Sequence, residues 1–152
     1  MNFEVDTGLV GHANIKVIGV GGAGNNMVGW LYKKGIKGAE ITACNTDKQH
    51  LGIIDADRKF LIGKSVTRGL GCGGFPEKGA EAAKESMNEL KESLKGADMV
   101  FVCAGMGGGT GTGAAPFVAH LAKDTGAIVI GTVTMPFKIE RARVDKAEFG
   151  LQ

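Results

Sequence analysis

The sequence is poor in cysteine, proline and large aromatics: its 152 residues include three cysteines, three prolines, one tryptophan and one tyrosine. Cys44, Cys72 and Cys103 are odd in number, far apart and without a C-x-x-C pair. That excludes a disulfide framework and suits a reducing, cytoplasmic setting. Their expected places near strand ends would let them approach one another. No histidine or carboxylate pattern completes a metal-ligand set, however, so they read as small buried filler and no direct metal ligand is expected. His12, His50 and His120 show no ligand spacing and read as surface or packing residues. Charge of one sign is not in excess, with 18 basic against 16 acidic residues and a formal net charge of +2. That balance gives no case for nucleic acid as a partner. No apolar run approaches the ~20 residues of a membrane span, and residues 1–14 lack the basic-then-apolar order of a signal peptide, so no direct membrane contact is expected. Nor is there a Ser/His/Asp or Cys/His constellation for nucleophilic catalysis.

What is abundant is glycine, 26 residues against an ordinary share of ~7%. Hydrophobic residues make up 43%, enough for one domain with a real core. Residues 1–14 read as an N-terminal arm. Strands are expected at 15–20, 39–44, 59–62, 99–103 and 127–133, from short β-branched or apolar runs. Helices are expected at 27–34, over one long stretch at 76–95, at 114–122 with Pro116 in the first turn, and at 140–149 with Gly150 as a cap. Trp30 and Tyr32, on the first helix, are expected to pack against the sheet or its edge. Such alternation predicts an α/β fold: a Rossmann-like, mostly parallel sheet with helices on both faces. Every glycine-rich stretch falls at the carboxyl edge of that sheet, where ligands bind in such folds.

Two of these stretches carry chemistry. Residues 104–115 hold six glycines with Thr110 and Thr112, between an apolar strand and a helix. Backbone N–H groups and a helix N-terminus so arranged hold an anion, and the hydroxyls add donors. Residues 19–24 match G-x-G-x-x-G between a strand and a helix, and Asp47 follows near the end of the second strand. Taken alone, that is a dinucleotide signature, so an NAD(P)-binding oxidoreductase domain stays a rival. A second, richer cradle on another strand fits a polyphosphate nucleotide better than one pyrophosphate bridge. A Walker loop is excluded, because Arg58 stands where the glycine before Gly63-Lys64-Ser65 would have to be. Arg68, inside the glycine-rich 63–76 connection, could meet phosphate or a neighbouring subunit.

Gly107-Gly108-Gly109-Thr110-Gly111-Thr112-Gly113 resembles the signature loop of the tubulin/FtsZ family. Similar in order and interval are 18–26, Asn45-Thr46-Asp47, Thr67-Arg68-Gly69-Leu70-Gly71, 97–102 and Thr134-Met135-Pro136-Phe137. The segment 136–141 is more like archaeal members. The resemblance implies an FtsZ-like, polymerising cell-division GTPase that binds GTP or GDP with phosphate-bound Mg²⁺. Gly21, Gly22, Ala23, Gly24, Asn25 and Asn26 would contact phosphates and nucleoside. Gly107, Gly108, Gly109, Thr110, Gly111 and Thr112 would cradle the β- and γ-phosphates. Asn45, Asp47, Gly71, Cys72 and Gly73 would respond to the γ-phosphate and the Mg²⁺ water shell. Glu140 would hold the ribose. The family's following arginine falls at Val144, so Arg143, one position earlier, is the candidate substitute. Residues 15–152 would be the GTP-binding domain, ending early in or before the central helix, with the C-terminal domain absent. The catalytic loop would come in trans from a neighbouring subunit of a head-to-tail protofilament. Binding without significant turnover is the expectation for the chain alone. A non-catalytic fragment that caps or modulates FtsZ polymers is the other reading.

Overall fold

The computed structural model describes residues 11–152, so most of the expected N-terminal arm at 1–14 lies outside the described residues. Five strands, β1 (Ile15–Val20), β2 (Ala39–Asn45), β3 (Arg58–Leu61), β4 (Met99–Gly105) and β5 (Ile128–Thr134), form one sheet in the order β3-β2-β1-β4-β5. Each neighbouring pair is parallel. The chain moves outward from β1 through β2 to β3, then returns to the other side of β1 for β4 and β5. The strand order therefore reverses between β1 and β4.

Side-chain alternation along β1 sets two cores. Ile18 and Val20 point into a core shared with Leu90, Leu94, Val100, Val102, Val118 and Leu121. Val17 points to the other face, with Val28, Ile41, Leu51 and Ile54. The first core belongs to α4 (Pro76–Glu85), α5 (Met87–Leu94) and α6 (Thr110–Asp124), and the second to α1 (Gly21–Lys33) and α2 (Lys48–Ile53). Each large aliphatic side chain so buried contributes about 1.5–3 kcal/mol. Cys44 lies in the first core and Cys103 in the second, so the sheet itself keeps these two thiols apart.

Several expected elements shift. The glycine-rich turn at 21–26 is already the opening of α1, and α6 begins at Thr110 rather than 114. Glycine and threonine are weak helix formers, but here each helix starts against its neighbour and tertiary packing decides. Pro116 consequently sits inside α6, beyond its first turn and exposed, where its missing N–H frees the Thr112 carbonyl. The single helix at 76–95 is two, broken at Ser86, whose side-chain Oγ turns inward to accept from the Gly63 N–H at 3.1 Å. Helix α2 and the short α3 (Lys64–Thr67) have too little apolar periodicity to be read from sequence.

Trp30 and Tyr32 are not buried against the sheet or its edge: they are 60% and 42% exposed, and Lys34 Nζ lies 5.1 Å over the Trp30 ring. After β5 a 3-10 turn, Lys138–Glu140, precedes α7 (Ala142–Leu151). Gly150 is not a cap but an interior residue of α7. A Cβ there would stand 2.6 Å from Thr112 Cγ2, so α7 leans directly on α6.

Candidate functional site

The carboxyl ends of β1 and β4, where the strand order reverses, open into a cleft of about 470 Å³. That volume lies in the ordinary range of ligand sites. Two helices begin in it. The first, α1, follows Val20 directly and presses onto the sheet: a Cβ on Gly24 would come 2.2 Å from the Cys103 carbonyl oxygen. Only glycine allows that approach, and it leaves Gly22 and Ala23 exposed on the cleft wall. The second, α6, follows a turn in which Gly107 has φ 96° and backs onto the Arg143 carbonyl. Thr112 Oγ1 accepts from the Gly107 N–H at 2.8 Å and fixes the turn from inside.

Neither helix carries an acidic residue in its first turn, and neither has a side-chain N-cap. Their leading N–H groups and positive dipole ends are therefore free to meet an anion from two sides.

The far wall is built after β2. Asn45 Oδ1 accepts from the N–H groups of Thr46 at 2.9 Å and Asp47 at 3.3 Å, and Asp47 Oδ1 caps α2 by accepting from the His50 N–H at 3.0 Å. Thr46 Oγ1 lies 2.7 Å from Thr110 Oγ1, and Cys72 Sγ lies 3.4 Å from both hydroxyls. This buried knot ties the β2 turn, the 68–75 connection and the start of α6 into one unit. The near wall is Thr134, Met135 and Pro136 after β5, then Glu140 and Arg143. Glu140 accepts from the Phe137 N–H at 2.9 Å and from Arg143 Nη1 at 3.1 Å.

Of the residues singled out from sequence, Gly22, Ala23, Asn45, Asp47, Gly71, Cys72, Gly108, Gly109, Thr110, Gly111, Glu140 and Arg143 line this cleft. Gly21, Gly24, Asn25, Asn26, Gly73, Gly107 and Thr112 do not line it. Gly24, Gly107 and Thr112 instead shape the turns behind the wall. Asn25 is fully buried beneath the first turn of α1, and neither its Oδ1 nor its Nδ2 has a hydrogen-bond partner. Arg143 reaches Glu140 despite its offset because Arg141, at φ 39°, breaks the helix between them. Helical phase therefore does not relate the two positions.

Sequence reasoning missed His50, which lines the cleft rather than an ordinary surface, along with Met106 and 134–136. The signal for 134–136 was their place just past a parallel strand. Nothing local marks His50, because α2 itself went unseen. Among the described residues no group of three His, Cys, Asp or Glu side chains stands close enough to hold a metal. No helix there is long and apolar enough to cross a membrane.

A family model described as "Tubulin/FtsZ family, GTPase domain" matches residues 14–152. The chain is 63% identical over 141 residues to cell division protein FtsZ 2 of Methanocaldococcus jannaschii, covering 93% of this chain and 37% of that protein. The solved empty FtsZ dimer of M. jannaschii superposes with TM-score 0.91 at 51% identity, over 94% of this chain and 42% of that one. A GTPγS-bound protofilament of CetZ2 from Haloferax volcanii superposes at 0.70 with 31% identity, over 79% and 39%. The chain thus spans well under half the length of the relatives it matches.

Proposed function

The chain belongs to the tubulin/FtsZ family, and from that premise we propose that it is the guanine-nucleotide-binding domain of a polymerising cell-division GTPase. The observation that carries this reading is the convergence of two uncapped, acid-free helix N-termini on one cleft at the strand-order reversal. A polyphosphate chain fits there without a P-loop lysine, because backbone N–H groups on both sides supply the donors. The comparisons lend no support to an NAD(P) oxidoreductase or to a capping fragment.

In this reading Gly22, Ala23 and Gly108–Gly111 hold the phosphates, with Gly21, Gly24, Gly107 and Thr112 setting the two turns. Asn25 and Asn26 act at the nucleoside side of α1, and Glu140, steadied by Arg143, holds the ribose hydroxyls. Asn45, Asp47, Gly71, Cys72 and Gly73 surround the γ-phosphate end. Mg²⁺ bound to the phosphates would neutralise charge there, with Asn45 and Asp47 as the polar groups nearest its water shell.

The two carboxylates that line the cleft are both engaged, Asp47 at the start of α2 and Glu140 with Phe137 and Arg143. Both thus serve the walls of the cleft. In this reading the chain alone binds nucleotide without significant turnover, and the hydrolytic groups come from a neighbouring subunit in a head-to-tail protofilament. The setting is the cytoplasm, in keeping with three unpaired cysteines.

The test is chromatography of nucleotide released from the purified chain, followed by titration with GDP, GTP and NAD. Guanine nucleotide is expected to co-purify or to bind on titration, with no response to NAD. Binding of NAD in preference to GDP, or rapid concentration-independent GTP turnover by the chain alone, would overturn the proposal.

A further inference from the structure

His50 lines the cleft yet has no part in the contacts proposed above. Its ring Nδ1 lies 3.3 Å from Asn45 Nδ2. The sense of that amide is fixed, because Asn45 Oδ1 already accepts two backbone N–H groups. An amide NH₂ only donates, so Nδ1 accepts and the ring proton stands on Nε2. Among the described residues no hydrogen bond engages Nε2. The ring borders the opening of α1, where a Cβ on Gly22 would lie 4.0 Å from His50 Cε1.

Position along the sheet gives the cleft a direction. His50 follows β2 and the Glu140–Arg143 pair follows β5, and these strands are three steps apart. At the usual ~4.8 Å between strands that separation is roughly 14 Å. The carboxylate of Glu140 suits sugar hydroxyls and repels phosphate. At the other end the acid is Asp47, whose Oδ1 is turned to the N-terminus of α2. With Glu140 at the ribose, as in the proposed function, a nucleoside polyphosphate lies with its sugar toward β5 and its terminal phosphate toward β2.

We propose that His50 reads the terminal phosphate: its Nε2–H donates to a γ-phosphate oxygen, so the site favours nucleoside triphosphate over diphosphate. This inference rests on the guanine-nucleotide reading above. It makes His50 a specificity residue and not a base, since its one accepting nitrogen is taken by Asn45.

The test compares affinities of the 152-residue chain for GTPγS and GDP in the unaltered protein, His50→Ala and His50→Gln. His50→Ala is expected to lose roughly tenfold to a hundredfold in GTPγS affinity, the size of one charge-assisted hydrogen bond, while GDP affinity stays within about twofold. His50→Gln, which restores an N–H donor, is expected to recover most of the preference. An unchanged GTPγS-to-GDP ratio in His50→Ala overturns the proposal, and so does an equal loss of both nucleotides. Failure of the unaltered chain to bind either nucleotide instead overturns the guanine-nucleotide reading, and this inference falls with it.

Discussion

Asn25 is the residue whose cost and use separate most cleanly. Its two amide atoms are buried without partners, an arrangement that costs about 1–3 kcal/mol for such a group. Asn25→Ala should leave the thermal midpoint unchanged or raise it, while GDP affinity falls; calorimetric melting and titration on the same sample check both halves. Gly24 is the opposite case. A Cβ there meets a backbone carbonyl at 2.2 Å, so Gly24→Ala must push α1 off the sheet. Overpacking of this kind costs typically 1–3 kcal/mol, and denaturant unfolding should show a loss at least that large.

The thiols make a third residue-scale prediction. Burial pushes Cys44 up to about 12 from an ordinary 9.0, and pushes Cys103 up as well. A raised value in the fold means that the stability is fully present below pH 9 and is lost as pH rises toward 12. The unfolding midpoint should therefore fall above pH 9, and less steeply in Cys44→Ala. A midpoint flat from pH 8 to 11 would contradict it.

At the scale of elements, the break at Ser86 exchanges helix continuity for a buried hydrogen bond to Gly63. Ser86→Ala removes the acceptor and strands that N–H, which should cost about 1–3 kcal/mol in denaturant unfolding. Apolar spacing over 76–95 is continuous and predicts one helix, because periodicity reports which face is buried and not where a side chain bends the axis. Strands were legible for the reverse reason, since runs such as Val100 to Val102 have burial and β propensity in agreement. The glycine stretches were legible as cradles but not as helix starts. Their composition speaks against helix, and only the packing of α1 and α6 against their neighbours shows where each begins.

For the whole molecule, the cleft was legible because a parallel, alternating chain places its strand-to-helix turns on one edge. The two glycine turns could be assigned to that edge from the alternation, whereas Glu140 and Asn45 entered only through the family resemblance. His50, and the pairing of Arg143 with Glu140, depend on α2 and on the positive φ of Arg141, which no local pattern announces. A ligand that grips both cradles should stabilise the fold as a unit. GDP at a hundred times its dissociation constant adds about 2.7 kcal/mol, which for a domain of this size raises the melting temperature by ~5–10 °C. Scanning calorimetry with and without GDP should show one transition moved intact.

The pairing of Ile15 with Met99 has a kinetic consequence. The seam beneath the cleft joins the first strand to the fourth, so a chain emerging from the ribosome carries the α1 sequence long before β4 arrives to flank it. Its loop-closure entropy is spent late, and such long-range parallel pairing is slow. The cleft is thus assembled by the closing event of folding, and a refolding chain should regain helical signal before it regains any grip on nucleotide.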